Sequence, residues 1–189
     1  MVSSMKLILQ LMVILCVVGC GERTHLSHFE ETKALAEDGD AKAQDWLGFY
    51  YQFGVEVEQD SKEAVKWYQK AAEQGLPKAQ CSLGEMYHDG KGGVTKDYKK
   101  AVTLYRKAAE QGHYVGQLNL GLMYELGYGV KEDYVTAYAW YDLTAANDVE
   151  FGEAKVDIAK LMTPGEIAKA EELVKEMIKK NPKLIQKKK

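Results

Sequence analysis

A thirteen-residue pattern occurs three times in this chain, and this repetition constrains the fold more than any other sequence feature. Each copy reads Gly-x-x-x-(Ala/Gly)-x-x-x-Leu-Gly-x-x-Tyr, and the copies begin at Gly39, Gly75 and Gly112. The first interval is 36 residues long and the second is 37. Because periods of this size are typical of stacked units, the sequence predicts an array and not a domain with one central core.

Each copy contains two segments with helical periodicity. In the first segment Ala43, Leu47 and Tyr51 are spaced by four residues, which places them on one face of a helix. The second segment opens with Ala-x-x-(Trp/Leu)-Tyr, as at Ala64 and Tyr68, and continues along one apolar face. We therefore predict one pair of helices in each repeat, called the first helix and the second helix below.

Glycines recur inside the first helices, at Gly48, Gly84 and Gly121. A glycine in a helix interior costs about 1 kcal/mol relative to alanine, so a cost repeated in every copy indicates that another helix crosses closely there. Each second helix ends near a glycine such as Gly75, which can adopt the left-handed conformation that closes a helix. At the end of the third copy we expect Asp148 to adopt this conformation in place of glycine.

Three elements of this chain resemble the Sel1-like repeat family, a longer-looped relative of the tetratricopeptide repeat. They are the Leu-Gly-x-x-Tyr helix, a loop of the form Gly-x-Gly-Val-x-x-Asp, and a helix of the form Ala-x-x-Trp-Tyr-x-Lys-Ala-Ala. The Asp that closes each loop lies at or near the N-cap position of the second helix. The resemblance implies an all-α fold, a right-handed α/α solenoid of helix-turn-helix repeats with a C-terminal capping helix.

The segments outside the three copies suggest how the array begins and ends. Residues before Gly39 resemble the end of a degenerate second helix. Residues Thr163 to Glu166 form a capping-box sequence that starts a final amphipathic helix. We predict that this helix covers the last repeat. The predicted organisation is a signal peptide at 1–19, a lipidated tether at 20–26, a cap helix at 27–38, repeats at 39–74, 75–111 and 112–148, cap helices at 149–180, and a lysine-rich tail at 181–189.

The N-terminal segment has the pattern of a bacterial lipoprotein signal. Its apolar run is too short to span a bilayer and ends in Val-Val-Gly before Cys20, which resembles the lipobox whose cysteine receives the lipid. The alternative is an ordinary secretory signal with an incidental cysteine, and translation could start at Met1 or Met5. Since Gly21 and not aspartate follows the cysteine, we expect a lipid-anchored protein of the cell envelope, at the outer membrane and facing the periplasm.

Charge is distributed unevenly along the chain. Loss of residues 1–19 would change the net charge from −3 to −4, and the segment from Lys175 onward carries +6, so the remaining body carries −10. An acidic body argues against nucleic acid as a partner and favours a basic protein. We expect the lysine-rich end to be a solvated tail and the protein to be a monomer that contacts the membrane only through its lipid.

Catalytic and metal-binding patterns are absent from the sequence. Cys81 is the only cysteine beyond the predicted lipid site, and His88 lies two helical turns away, too far to activate it. His25 and His28 are spaced by three but have no further ligand nearby. We therefore predict no catalytic residue, no metal, no cofactor and no enzymatic activity.

The positions that differ between copies predict the binding surface. In tetratricopeptide arrays the first helix of each repeat lines a concave groove, and this register carries over to the present chain. It also places Cys81 and Val115 on this face. Because several of the predicted groove residues are apolar, they indicate an interface, unless the C-terminal helix folds back over them. The predicted groove residues are Lys42, Asp45, Phe49, Gln52, Phe53, Lys78, Glu85, His88, Asp89, Leu118, Leu122, Glu125 and Leu126.

The resemblance implies a non-catalytic protein-protein interaction module that binds a protein partner in this groove. Some lipoproteins of this family are immunity proteins that neutralise secreted toxins, which is the sharper form of the prediction. A scaffold for envelope or secretion machinery is an alternative. Some cysteine-rich members are assigned weak penicillin-binding or β-lactamase activity, but they depend on a disulfide in each repeat and this chain has only Cys81 there.

Overall fold

Nine α-helices and no β-strand occur in residues 27–186, which are the residues that the computed structural model describes. The bounds are α1 His28–Glu37, α2 Ala41–Phe53, α3 Ser61–Glu73, α4 Pro77–Asp89, α5 Tyr98–Glu110, α6 Tyr114–Leu126, α7 Tyr134–Asn147, α8 Glu153–Ala159 and α9 Pro164–Lys180, with short 3-10 helices at Val149–Phe151 and Pro182–Leu184. Helices α2, α4 and α6 are the predicted first helices, and α3, α5 and α7 are the second helices.

Side-chain caps start the second helices as the loop sequences predict. Asp60, Asp97 and Asp133 precede α3, α5 and α7, and each carboxylate accepts hydrogen bonds from backbone N–H groups two or three residues further on. The predicted capping box at the start of α9 is also present, since Thr163 accepts from the backbone of Glu166 and the Glu166 carboxylate accepts from the backbone of Thr163.

The repeated glycine of each first helix faces the repeated tyrosine of the second helix in the same repeat. A Cβ atom added to these glycines would lie 2.7, 2.6 and 2.6 Å from a tyrosine ring, closer than carbon atoms pack. The tyrosines are buried. The predicted close crossing of helices is therefore confirmed, and its cause is a ring that packs onto a bare backbone. The pairs are Gly48 with Tyr68, Gly84 with Tyr105 and Gly121 with Tyr141.

The ends of the second helices agree with the prediction in two copies and differ in the third. Gly75 has a φ of 88°, in the left-handed region that closes a helix. The prediction for Asp148 is wrong, because this residue is extended with φ −146° and ψ 111°. Its carboxylate accepts a hydrogen bond from the backbone of Glu150, at 3.2 Å, and this contact leads the chain into the 3-10 helix.

A ladder of side-chain amides joins neighbouring repeats, and the sequence analysis did not identify it. In the first rung the Gln74 amide donates to the side-chain oxygen of Gln44 at 2.8 Å and to the carbonyl of Gly39 at 2.9 Å. The other rungs use equivalent positions. Since Gln44, Gln80 and Gln117 are buried, the ladder satisfies their polar groups at the turns between repeats. The further rungs are Gln111 with Gln80 and Asn147 with Gln117.

The C-terminal residues close the array. Helix α9 packs against α7 and buries Ala170 and Val174. After α9, residues 181–186 form a segment that we call the C-terminal strap. Its Leu184 is 3% exposed, and the Leu184 carbonyl accepts from the side-chain amides of Gln117 at 2.8 Å and Asn147 at 2.6 Å.

The prediction of a solvated tail at 181–189 is therefore wrong for residues 181–186, because the strap completes the last rung of the amide ladder and buries a leucine. Within the described part of the chain, no helix is long and apolar enough to cross a membrane. The predicted signal peptide at 1–19, the tether at 20–26 with Cys20, and Lys187 to Lys189 lie outside the described residues.

Candidate interaction surface

The first helices form one side of the array, which we call the inner face: the solvent-facing side of α2, α4 and α6. Helices α4 and α6 pack directly against each other in this layer. The capping helix α9 packs on α7, in the layer of second helices, and leaves apolar side chains of the inner face exposed. Phe53 is 58% exposed, Leu122 39% and Leu126 45%.

An aromatic row occupies the N-terminal end of the inner face. Trp46, Phe49 and Phe53 follow one stripe of α2, with ring centroids 5.7 Å apart for Trp46 and Phe49 and 4.7 Å apart for Phe49 and Phe53. The Lys78 ammonium lies 4.4 Å from the centroid of the Trp46 ring, within the range of a cation–π contact. The row is thus an apolar surface, and the Lys78 ammonium lies at its Trp46 end.

Asp45 lies beneath this row and not on the open surface that the sequence register predicts. It is 2% exposed, because its position in the repeat faces the next first helix. One carboxylate oxygen is 3.0 Å from the Lys78 ammonium, and the other has no hydrogen-bond partner among the described residues. Cys81 is buried at the same position of the second copy, and Leu118 is half-buried in the third. Asp45 therefore holds Lys78 in place.

Acidic side chains occupy the middle of the inner face, on α4. Although much of the Glu85 surface is open to solvent, partial burial raises the pKa of its carboxyl, and the nearby Asp89 raises it further. Asp89 bonds to Lys91 at 2.6 Å and to His88 at 2.9 Å, and these hydrogen bonds hold the pKa of Asp89 below its ordinary value. Glu85 forms no ion pair with a cation of the described residues, so it is the carboxylate available to a partner.

Exposed leucines follow on α6, at the C-terminal end. Leu122 and Leu126 are separated by one helical turn and are both exposed. Glu125 lies between them but accepts a hydrogen bond from the Tyr141 hydroxyl at 2.6 Å. Its equivalent in the first copy, Gln52, accepts one from Tyr68 in the same way. These two predicted groove residues therefore also hold the tyrosines of their repeats.

The structure places the thirteen predicted groove residues in three classes of exposure. The exposed residues are the ones that a partner can contact without rearrangement of the fold. The half-buried residues border this surface, and the single buried one supports it. The exposed ones are Lys42, Phe53, Lys78, Glu85, Asp89, Leu122 and Leu126; the half-buried ones are Phe49, Gln52, His88, Leu118 and Glu125; the buried one is Asp45.

A second aromatic cluster borders the inner face, and the sequence analysis did not identify it. The Tyr98 and Tyr128 rings are stacked with centroids 4.6 Å apart, and the His88 ring lies 5.3 Å from Tyr98. Tyr128 belongs to the loop after α6 and is 37% exposed. The only sequence feature that could have indicated this cluster is the tyrosine between the two glycines of that loop.

Cys81 does not have the environment of a catalytic nucleophile. Its sulfur lies 3.5 Å from Nδ1 of His113, a contact that the sequence did not predict because it joins different repeats. Burial raises the pKa of the Cys81 thiol, and burial lowers the pKa of His113, so both groups are held neutral. Within residues 27–186 no group of three or more His, Cys, Asp or Glu side chains is placed to hold a metal ion. His28, one of the two spaced histidines, bonds to the Tyr50 hydroxyl.

Comparison with known proteins identifies the repeat. The family model for the Sel1 repeat matches residues 41–76, 77–113 and 115–149, close to the three predicted copies. A protective antigen of uropathogenic Escherichia coli with this repeat fold is 40% identical, with a TM-score of 0.75 over 82% of this chain and 34% of that chain. A Sel1 repeat protein from Oxalobacter formigenes is 41% identical, with a TM-score of 0.63 over 71% of this chain and 99% of that chain.

Curated relatives match over shorter stretches. A chitin synthase regulator of Saccharomyces cerevisiae, SKT5, is 43% identical over 74 residues, and an Arabidopsis thaliana component of an ERAD-associated E3 ubiquitin-protein ligase, HRD3A, is 34% identical over 65 residues. The matches cover 38% and 34% of this chain but only 10% of each relative. Sel1 repeat proteins generally act as non-catalytic scaffolds that bind other proteins. With its repeats matched over more than half of its length, this chain belongs to the Sel1 repeat family.

Proposed function

We propose that this protein is a non-catalytic, lipid-anchored module of a bacterial cell envelope that binds a protein partner on its inner face. The observation that carries the proposal is the set of exposed apolar side chains at both ends of this face, on α2 and α6, with α9 packed on the opposite layer. Exposed apolar surface that the protein's own fold leaves uncovered is typical of an interface.

The chemistry of the inner face favours a partner segment with apolar ends and a basic centre. The aromatic row around Phe53 and the leucines Leu122 and Leu126 would bury apolar side chains, while Glu85 lies between them and forms no ion pair with the described residues. Because burial and Asp89 raise the pKa of Glu85, a lysine or arginine of the partner would stabilise its charged form. The acidic body of the protein would also attract a basic partner at long range.

Relatives support a role in protein assemblies. By their names, one curated relative regulates chitin synthase and the other is a component of a ubiquitin ligase, so each works together with other proteins. The two solved relatives with about 40% identity are bacterial, which supports a bacterial setting. The sharper form of the proposal is an immunity protein whose inner face neutralises a secreted toxin, and a scaffold for envelope or secretion machinery would use the same face.

Aspartate at both apolar ends of the inner face is expected to abolish partner binding. The variant Phe53→Asp/Leu122→Asp places two charges where apolar burial is needed, and its loss of affinity should exceed tenfold, because burial of each such side chain contributes about 1.5–3 kcal/mol. The measurement is quantitative affinity purification from envelope extract with the wild type and the variant as baits. The identity of the partner, a toxin or an assembly component, then separates neutralisation from a scaffold role.

Leu35→Asp is the matched control for this experiment. Leu35 is 57% exposed but lies on α1, which occupies the position of a second helix, so its variant should bind the partner as the wild type does. A double variant that recovers the same proteins in the same amounts as wild type would contradict the proposal. Circular dichroism of all baits checks that each remains helical.

Cys20→Ala is expected to release the protein from the membrane fraction. The motif Val17-Val18-Gly19-Cys20 supports lipidation at this sulfur, and a protein with several acyl chains stays bound because each buried methylene contributes about 0.8 kcal/mol. Metabolic labelling with an alkyne-tagged palmitate should mark the wild type and not the variant. An unlabelled wild type would show that the segment is an ordinary secretory signal. That result would not affect the proposal that the inner face binds a partner.

A further inference from the structure

A pocket of about 410 Å³ lies on the opposite side of the array, between α5 and α7. We call it the outer pocket. Helix α9 and the C-terminal strap form one of its walls. Trp140 and Leu184 are buried at its base, and Leu173 and Met177 of α9 are half-buried beside them. The base is therefore apolar, and it is large enough to hold a small molecule, since ligand pockets typically measure about 300–1,000 Å³.

The mouth of this pocket carries an arginine, Arg106. Arg106 of α5 donates a hydrogen bond from Nη2 to the Tyr124 hydroxyl at 2.8 Å, which fixes the guanidinium over the pocket. No carboxylate of residues 27–186 forms an ion pair with it. Lys180, also at the mouth, lies 3.5 Å from the Glu176 carboxylate. Among the described residues that line the pocket, Arg106 is thus the cation without an ion-pair partner.

Comparison between the copies shows that this arginine is not part of the repeated scaffold. The equivalent positions are Gln69 in the first copy and Asp142 in the third. Tyr124 and Glu110, in contrast, have the same residue types in the preceding copy. The corresponding furrow between α3 and α5 measures about 270 Å³ and has no wall from α9. The outer pocket therefore differs from this furrow in its size and in having arginine where the furrow between α3 and α5 has Gln69.

We infer that the outer pocket binds a small aliphatic monocarboxylate, with the carboxylate on Arg106 and the chain against Trp140 and Met177. An arginine guanidinium binds carboxylates through two parallel hydrogen bonds, and Trp140, Met177 and Leu184 offer apolar contact to the rest of the ligand, with the polar Thr136 and Asn181 beside them. A peptide fits less well. The helices that form the walls use their backbone groups internally, so the amides of a bound peptide would find no backbone partners there.

Glu110 limits the charge that the pocket accepts. It lies one helical turn from Arg106 at the mouth, where it repels anions. Each negative charge of a ligand meets this repulsion, so a ligand with one charge should bind better than a ligand with two. The inference concerns the outer side of the array, so its outcome is independent of the inner-face partner.

Isothermal titration calorimetry of the full-length protein with dodecanoate tests the inference. We expect saturable binding with one ligand per protein, and dodecanol, which has the same chain without the charge, should bind at least tenfold more weakly. Arg106→Gln introduces the residue of the first copy and should weaken dodecanoate binding at least tenfold. Glu110→Gln should strengthen it, because it removes the opposing charge.

Leu173→Trp provides a variant that keeps Arg106 and fills the base of the pocket, and it should abolish binding. Circular dichroism and thermal unfolding show whether each variant is folded. If Arg106→Gln proves unfolded, Leu173→Trp and Glu110→Gln still decide the matter. Absence of dodecanoate binding, or equal affinity in wild type, Glu110→Gln and Leu173→Trp, would overturn the inference and leave Arg106 as a structural partner of Tyr124.

Discussion

Replacement of Gly84 by alanine is expected to destabilise the protein by about 2 kcal/mol, although alanine is the better helix former. A Cβ at this position would lie 2.6 Å from the Tyr105 ring, and Tyr105 is 3% exposed, so the ring cannot move into solvent. Overpacking of this kind costs about 1–3 kcal/mol, and we expect a cost near the upper end because the ring is enclosed. The better helix propensity of alanine offsets about 1 kcal/mol of this cost. Urea unfolding followed by circular dichroism measures the change.

Gly165→Ala is the matched control for this substitution. Gly165 lies in the first turn of α9, and nothing lies within 4 Å of an added Cβ. The same chemical change should therefore stabilise the protein slightly, by about 0.5–1 kcal/mol. If Gly84→Ala were as stable as Gly165→Ala, the contact between glycine and tyrosine would not explain why a helix-breaking residue recurs in every first helix.

Truncation of Leu184 to alanine is expected to cost about 3 kcal/mol in the free energy of unfolding. The strap residue is 3% exposed, and substitutions of this type at buried leucines cost about 2–5 kcal/mol because they leave a cavity. Leu161→Ala is the control, since Leu161 is 63% exposed and its truncation should change stability by less than about 0.5 kcal/mol. Equal effects of the two substitutions, measured by urea unfolding, would mean that the strap is not part of the folded array.

The fold could be predicted from the sequence because its determinants are local and repeated. The spacing of Ala43, Leu47 and Tyr51 predicts a helix without any knowledge of its neighbours, and the loop aspartates predict helix starts. The strap could not be predicted in this way. Only half of residues 181–186 are polar, and the place of Leu184 is set by long-range contacts, in which its carbonyl accepts from the side-chain amides of Gln117 and Asn147 in the third repeat.

The binding surface could be predicted only in outline. Register places Phe53, Leu122 and Leu126 on a common face, and their exposure agrees with that placement. Register cannot distinguish an open position from one that faces the next first helix. For this reason it predicts an exposed Asp45, whereas Asp45 is buried. The amide ladder and the aromatic cluster around Tyr128 depend on contacts between repeats, and such contacts are not visible within one copy.

Site-specific photo-crosslinking in living cells tests the central claim, a protein partner on the inner face, most directly. A photoreactive amino acid replaces Leu122 on the inner face in one strain and Thr103, an exposed residue of α5 in the outer layer, in another. The account predicts a discrete protein adduct from position 122 and none from position 103. The same adduct from both positions, or an adduct from position 103 alone, would contradict it.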